Sequence, residues 1–246
     1  MKMTRSDCSS QYYQNSIKIP YASNIGLHVR KKIFSKFLEG FHPTKFDSVL
    51  DVGVTSEKTL EVSNFFEKLY PFPENITCIG TEDGSHLEEV YPGARYIRVF
   101  PNKPLPFDDN QFDLAFSNAV VEHTGKFESQ RFFINEICRV SKKFFVVTPN
   151  RWFPFETHTG LPLIHFLPKF VFRKILISTR YSFWSSEDNL NLLGLKEFRL
   201  LFPDRVSIQT QKIRFFGMTS NLIIFGSKIP LSSGNKMIDS ILDEIC

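Results

Sequence analysis

The stretch Asp47-Ser-Val-Leu-Asp51-Val-Gly53-Val-Thr-Ser56 decides the fold of this chain. Its apolar residues Val49, Leu50 and Val52 form a short continuous run, which is typical of a strand buried on both faces. The glycine permits a tight turn, and the apolar spacing over residues 57–70 then predicts a helix. In an open parallel sheet, ligands bind at such a strand-turn-helix unit. A plain structural connection has the same pattern, so the stretch alone assigns no function.

Strand and helix patterns alternate along most of the chain. Apolar runs predict strands over residues 76–81, 95–100, 112–117 and 143–147, with two closing strands over 206–213 and 220–226. Apolar residues at helical spacing predict helices over 24–38, 127–140 and 187–202, and a short terminal helix over 237–245. This order predicts an α/β fold with a doubly wound, mostly parallel seven-stranded sheet. The N-terminal helix can either pack on the sheet or cover a ligand.

Length and composition predict one globular domain. The 246 residues are 42% hydrophobic and 23% charged, and 27 of them are Phe. These aromatic residues must in part fill the core, and they can also line a pocket or an exposed patch. We expect an N-terminal arm over 1–23, a domain over 24–228 with a helical insertion at about 155–185, and a C-terminal tail over 229–246.

Several classes of protein do not fit this composition. A net charge of +4 without a recognisable nucleic-acid motif argues against nucleic-acid binding. The four cysteines are scattered, which is typical of reduced thiols in a cytoplasmic protein. The N-terminus has no apolar leader pattern, and we expect no membrane-spanning helix. The basic and aromatic stretch 163–184 can touch an anionic membrane, but we expect a cover helix with a solvated basic face.

Acidic residues end the second predicted strand. Glu82 and Asp83 follow the run 76–81. An acidic side chain at this position can accept hydrogen bonds from ribose hydroxyls, as it does in dinucleotide-binding folds. Asp83 can instead cap the next short helix.

With these segments in place, the chain resembles the class I S-adenosylmethionine-dependent methyltransferases over residues 46–228. It is similar in particular to small methyltransferases linked to polysaccharide or glycolipid biosynthesis in bacteria. The resemblance rests on five segments: Val49-Leu-Asp51-Val-Gly53, the loop and strand 105–114, Ser117-Asn118-Ala-Val-Val-Glu122-His123, Arg139-Val140, and residues 148–162. One departure is that the first motif keeps only its first glycine and has Thr55 where the family usually has another.

The resemblance implies S-adenosylmethionine as cofactor and a Rossmann-like methyltransferase fold. Asn102 would take the place of an acidic residue that the family often uses against adenine. The cofactor-binding residues implied are Asp51, Gly53, Thr55, Glu82, Asp83, Asn102, Ser117 and Asn118.

The implied acceptor is a small molecule or glycan, methylated on an oxygen of a sugar. A base within hydrogen-bond reach assists the loss of a hydroxyl proton, and His123, after the fourth strand, is the first candidate. It can equally brace the following helix. Glu156 and His158 would cover the acceptor pocket, where they would bind or deprotonate acceptor hydroxyls. Alternatively, they belong to a hydrogen-bonded polar loop.

A metal site, a role without catalysis and the oligomeric state are separate questions. We expect no metal site, because no pair of histidines has a helical i, i+4 spacing. A methyltransferase-like protein that binds a ligand or partner without catalysis remains the alternative, since the Val54-Thr55-Ser56 turn is altered while Asp51, Gly53, Glu82 and His123 are kept. The sequence leaves the oligomeric state open.

Overall fold

The computed structural model describes residues 20–57 and 62–228. Its seven strands form one sheet in the order β3-β2-β1-β4-β5-β7-β6. The strands are β1 (Val49–Val52), β2 (Ile76–Gly80), β3 (Arg95–Arg98), β4 (Phe112–Asn118), β5 (Ser141–Pro149), β6 (Val206–Phe215) and β7 (Met218–Lys228). Neighbours from β3 to β5 are parallel, while β7 runs antiparallel to both β5 and β6. The predicted mostly parallel, seven-stranded fold is confirmed.

Helices lie before, between and after these strands. They are α1 (Pro20–Phe41), α2 (Phe65–Leu69), α3 (Leu87–Val90), α4 (Phe127–Val140), α5 (Lys169–Ile177) and α6 (Leu195–Arg199), with 3-10 turns at Pro73–Asn75, Val121–His123, Ile164–Phe166 and Ser182–Ser185. Among the described helices, none combines the length and apolar character needed to cross a membrane.

Two apolar cores cover the two faces of the sheet. Successive side chains of a strand point to opposite faces, so each central strand contributes to both cores. Val49 packs with Phe37 of α1 and Phe66 of α2, whereas Leu50 packs with Ile137 of α4 on the other face. The N-terminal helix therefore packs on the sheet, which settles the question that its sequence pattern left open.

Some predicted boundaries are corrected. Helix α1 starts at Pro20, inside the range expected to be an arm, and α4 has the predicted bounds. The predicted helix 187–202 is wrong in extent, because only Leu195–Arg199 is α-helical. The segment before it is buried as a loop, with Leu190, Leu192 and Leu193 packed by tertiary contacts. In the predicted helix 57–70 the helical part that is described is Phe65–Leu69, and the predicted terminal helix 237–245 lies outside the described residues.

Candidate active site

The turn after β1 brings the backbone of two loops together. Gly53 has φ +103°, a conformation that side chains with a Cβ rarely adopt, and its N–H donates to Ile79 O at 2.8 Å. A Cβ on Gly53 would lie 2.2 Å from Cγ2 of Val120, in the loop after β4. The turn therefore requires glycine, and it places the β4 loop directly against the end of β1.

Glu82 is fixed at the end of β2. Its Oε2 accepts hydrogen bonds from the Ser56 hydroxyl and from the Ser56 N–H, the latter at 3.1 Å. The Tyr96 hydroxyl donates to Glu82 O at 2.6 Å. Both hydrogen bonds from Ser56 use Oε2 of this partly exposed carboxylate, and neither involves Oε1.

Asp83, next in the chain, is exposed. Its carboxylate accepts the Ser85 N–H at 3.1 Å, and that hydrogen bond lowers the pKa of Asp83 below its ordinary value. This contact stabilises the turn that leads into α3, but Asp83 does not cap that helix, because the N-cap residue is His86 and no side-chain hydrogen bond caps it.

An asparagine that the sequence reasoning missed holds the altered turn. Asn64 Oδ1 accepts the Thr55 N–H at 3.0 Å, and Asn64 Nδ2 donates to Thr55 O at 2.8 Å. The Thr55 hydroxyl accepts the Glu57 N–H at 3.1 Å. Asn64 also has φ +48°, and asparagine is one of the few residues that tolerate this conformation. Asn102, also at positive φ, is exposed in the loop after β3.

Asp51 is buried and faces α2. Burial raises the pKa of its carboxyl well above the ordinary value, and the charge and hydrogen bond of Glu67 raise it further. The Cys78 thiol donates to Glu67 Oε1 at 3.3 Å within the same buried group. The Asp51 side chain thus belongs to an internal acid pair beneath the turn.

Ser117 and Asn118, at the end of β4, differ in their hydrogen bonding. The Ser117 hydroxyl is fully buried and donates to Val52 O at 3.0 Å, which ties β4 to β1. Asn118 Oδ1 is buried and has no hydrogen-bond partner among the described residues. A buried acceptor without a partner costs stability, so this amide is suited to a hydrogen bond from a ligand.

Beyond β4 and β5, three of the predicted site residues form one hydrogen-bonded chain. Glu156 Oε1 lies 2.6 Å from His158 Nδ1, and His158 Nε2 lies 3.1 Å from His123 Nε2. His123 Nδ1 in turn lies 2.7 Å from Asn189 O, so it donates its proton to that carbonyl. Trp184, which the sequence did not indicate, packs on both imidazoles with ring centroids 4.8 Å from His158 and 5.9 Å from His123.

The pKa shifts within this chain assign its protons. Burial and the nearby charge of His158 lower the pKa of His123 to about 3. Burial also disfavours charged His158, but the charge of Glu156 and its hydrogen bond outweigh burial and raise the pKa of His158. The pKa of Glu156 is lowered to about 2 because His158 and two backbone N–H groups, of His158 and Thr159, offset its burial. The hydrogen bonds agree with these directions, because His123 Nδ1 donates to Asn189 O and both nitrogens of His158 are then left to donate, one to Glu156 and one to His123.

This geometry sets a condition for His123 as a base. Its Nδ1 proton is given to Asn189, so only the Nε2 lone pair can take a proton from an acceptor. In the structure that lone pair accepts the proton of His158 Nε2. A substrate hydroxyl must therefore displace the His158 contact before it can donate to His123.

Glu122 lies beneath the pair and is completely buried. The Thr148 hydroxyl donates to its Oε2 at 3.0 Å, while Oε1 lies 3.9 Å from His123 Nε2. Burial raises the pKa of Glu122 to about 7. Its neighbour in the sequence, His123, is 18% exposed at the side chain, so the cluster reaches from the core to the surface.

Comparison with known proteins identifies the central part of the chain. Residues 50–144 match the family model described as a methyltransferase domain. Over this range the chain is similar to methyltransferase domains. The match runs from β1 to β5 and includes the turn at Gly53, Glu82 and the loop after β4. The predictions of a methyltransferase enzyme and of S-adenosylmethionine as its cofactor are confirmed at the level of this domain.

Solved structures share the fold at low sequence identity. An S-adenosylmethionine-dependent methyltransferase from Methanosarcina mazei is 16% identical, with TM-score 0.53 over 78% of this chain and 97% of that one. A protein from Pyrococcus horikoshii is 15% identical, with TM-score 0.58 over 88% and 95%. The geranyl diphosphate C-methyltransferase from Streptomyces coelicolor is 10% identical, with TM-score 0.51 over 86% and 85%. A search of curated proteins found no match. At such identities the likeness shows the fold alone, and it leaves the methyl acceptor open.

Proposed function

We propose that this methyltransferase transfers its methyl group to an oxygen of a sugar or small glycoconjugate. The observation that carries the proposal is the hydrogen-bonded chain Glu156–His158–His123 beyond the ends of β4 and β5. Transfer to a hydroxyl oxygen requires that its proton be removed. A histidine held in one tautomer by its other nitrogen can take that proton, once the acceptor has displaced the His158 charge that helps to lower the pKa of His123.

The residues at the ends of β1, β2 and β4 fit the cofactor. Glu82 Oε1 would bind ribose hydroxyls, and the partnerless Asn118 Oδ1 would accept a hydrogen bond from the bound molecule. Gly53 allows backbone to approach closely. S-adenosylmethionine, when bound, supplies a methyl group on a sulfonium, which is already activated for transfer. The protein then has mainly to align the acceptor and exclude water.

Three residues of the chain would handle the acceptor proton. The acceptor hydroxyl enters beside His123 and displaces His158 from its Nε2 atom. That nitrogen would accept the proton as the oxygen is methylated, with the methyl–sulfur bond broken and S-adenosylhomocysteine left as the other product. The charge that develops on His123 is stabilised by Asn189 O at Nδ1, while the Glu156 carboxylate keeps His158 oriented.

Exposed aromatic residues in the segment after β5, which also carries Glu156 and His158, support a sugar as acceptor. Trp152 and Phe155 lie in the segment after β5 and are 53% and 56% exposed. Flat aromatic faces offer apolar contact to the C–H groups of a sugar ring, and Trp in addition has a polar N–H. The Trp152 indole also stacks near the Arg151 guanidinium, at 5.1 Å.

A methyl-transfer assay with labelled S-adenosylmethionine and a panel of sugars and glycosides tests the proposal. We expect O-methylated product, and we expect His123→Asn to lower kcat by about 10²–10⁴-fold while leaving S-adenosylhomocysteine affinity unchanged. His28→Gln, at an exposed histidine on α1, is the matched control and should retain full activity.

Two results would contradict it. Methylation confined to nitrogen or carbon acceptors would overturn the oxygen assignment. An unchanged kcat in His123→Asn would show that His123 does not act as the base. Absence of S-adenosylhomocysteine binding up to millimolar concentration would instead favour the methyltransferase-like binding protein, in which the Ser56–Glu82 contact fills the cofactor site.

A further inference from the structure

Three potential metal-binding atoms converge beneath the loop after β4. Glu122, His123 and His158 supply one each, and these atoms lie within 4.8 Å of one another. Glu122 Oε1 is 3.9 Å from His123 Nε2. The two imidazoles direct their Nε2 atoms at each other at 3.1 Å. Two ligands about 2.1 Å from a tetrahedral zinc ion are about 3.4 Å apart, so the histidine pair is already close to the spacing that one ion requires.

The outer nitrogens of both rings are held as they are in metal sites. His158 Nδ1 donates to Glu156, and His123 Nδ1 donates to Asn189 O. Metal-bound histidines almost always donate their second N–H to a carboxylate or a backbone carbonyl, and this fixes the tautomer that leaves the other nitrogen free to bind the ion. Both rings therefore have the orientation of ligands, and His158 becomes a ligand when it loses the proton that its Nε2 donates to His123.

The carboxylate supplies an independent observation. The Glu122 side chain is 0% exposed, and its Oε1 has no hydrogen-bond partner among the described residues. The Thr148 hydroxyl binds the other oxygen, Oε2, and so orients Oε1 toward the histidines. A buried carboxylate oxygen without a partner is costly, and a cation is the partner that offsets this cost most directly.

We propose that Glu122, His123 and His158 bind one divalent transition-metal ion. Two imidazoles and one carboxylate favour zinc, iron, cobalt or nickel over magnesium or calcium, which prefer oxygen ligands. The ion replaces the proton that His158 Nε2 donates to His123, and this proton is released to solvent. His123 and His158 are 18% and 14% exposed, so a further coordination position faces the surface and is open to water or an acceptor oxygen.

The metal site goes beyond the proposed function and does not depend on it. An ion that holds His123 Nε2 prevents that nitrogen from accepting a proton, so metal binding and the base role are alternative uses of the same atom. A direct binding measurement tests whether the ion binds. The methyl-transfer assay with and without chelator tests separately whether His123 acts as the base.

Cobalt titration tests the site directly. Protein stripped with chelator is titrated with Co²⁺ while visible absorption reports coordination. Trp184 fluorescence is followed in a Trp152→Phe background, since the chain has two tryptophans. We expect one ion per chain, quenching of Trp184, and displacement of Co²⁺ by Zn²⁺ but not by an excess of Mg²⁺.

Variants connect the ion to its ligands. Glu122→Gln keeps the size of the side chain. Glu122→Gln and His158→Gln are made as separate variants, and each should weaken Co²⁺ binding at least about tenfold. His28→Gln, an exposed histidine outside the cluster, should bind as the parent does. Failure of the parent protein to bind Co²⁺ or Zn²⁺ would overturn the proposal whether or not the variants fold, and so would unchanged affinity in both ligand variants.

Discussion

At the scale of single residues, Gly53 joins the turn after β1 to the loop that carries His123. Its φ of +103° excludes most side chains, and the Val120 side chain occupies the place of a Cβ. The two effects are separable, because Gly217 in the β6–β7 turn also has positive φ, +77°, but has nothing within 4 Å of its Cβ position. Substitutions at Gly53 and at Gly217 thus distinguish the effect of backbone strain from that of steric contact.

We expect Gly53→Ala to lower the free energy of unfolding by about 2–5 kcal/mol, the sum of backbone strain and overpacking. Gly217→Ala should cost about 1 kcal/mol, because only the strain applies. Urea unfolding of both variants measures the difference. Adding Val120→Ala to Gly53→Ala should recover part of the loss by removing the clash, and equal losses in the two glycine variants would show that Val120 does not pack as described.

At the scale of elements, Asp113 joins three strands near the amino ends of β1, β4 and β5. It lies in β4, its Oδ2 accepts both the N–H and the hydroxyl of Ser48 just before β1, and its Oδ1 accepts from Lys142 Nζ in β5 at 2.7 Å. The hydrogen bond from Lys142 is the largest cause that lowers the pKa of Asp113 to about 2, and the bonds from Ser48 lower it further. The charged carboxylate is thus the form that the fold stabilises.

A lowered pKa fixes the sign of the pH dependence. The contribution of Asp113 is complete above its unfolded pKa of about 4, and it is lost as the pH falls toward 2. We therefore expect Asp113→Asn to be less stable than the parent at pH 7, with the difference shrinking between about pH 4 and pH 2. Urea midpoints across this range measure it. Asp204→Asn, at an exposed loop position, is the control, and a difference independent of pH would contradict the assignment.

The elements that the sequence predicted well are those whose burial repeats regularly. Helix α4 has the predicted bounds because its buried residues, including Ile134 and Ile137, recur at helical spacing. The segment before α6 misled the prediction, because Leu190, Leu192 and Leu193 are buried without forming a helix. They are held instead by Asn191, whose N–H donates to Glu122 O at 2.7 Å and whose side chain contacts Gln130. Such tertiary contacts leave no periodic signal in a sequence.

At the scale of the whole molecule, the histidine cluster depends on how distant loops meet. His123 and His158 are 35 positions apart, and the sequence placed each of them after a neighbouring strand. Their Nε2–Nε2 contact, the Trp184 face and the Asn189 carbonyl come from segments whose relative positions only the folded chain defines. The residue types of the site were therefore predictable, but their joint geometry was not.

The abundance of phenylalanine is also explained at this scale. Phe37 of α1 is fully buried and lies at the centre of an aromatic cluster between helices and sheet. Its ring contacts Phe66 at 5.1 Å, Phe116 at 5.6 Å and Phe145 at 5.7 Å, each edge to face. One side chain thus links the N-terminal helix to α2 and to two central strands.

Because these contacts join α1 to α2 and to the central strands β4 and β5, we expect Phe37→Ala to destabilise the domain as a unit. Loss of the ring and the cavity it leaves should lower the free energy of unfolding by about 3–5 kcal/mol. Urea unfolding followed by far-ultraviolet circular dichroism and by tryptophan fluorescence should give one coincident transition, since Trp184 reports the surroundings of His123 and His158. Phe46→Ala is the control, because Phe46 is 83% exposed and its loss should cost less than about 0.5 kcal/mol. Separate transitions for the two signals would instead mean that α1 unfolds from the sheet without disturbing the active site.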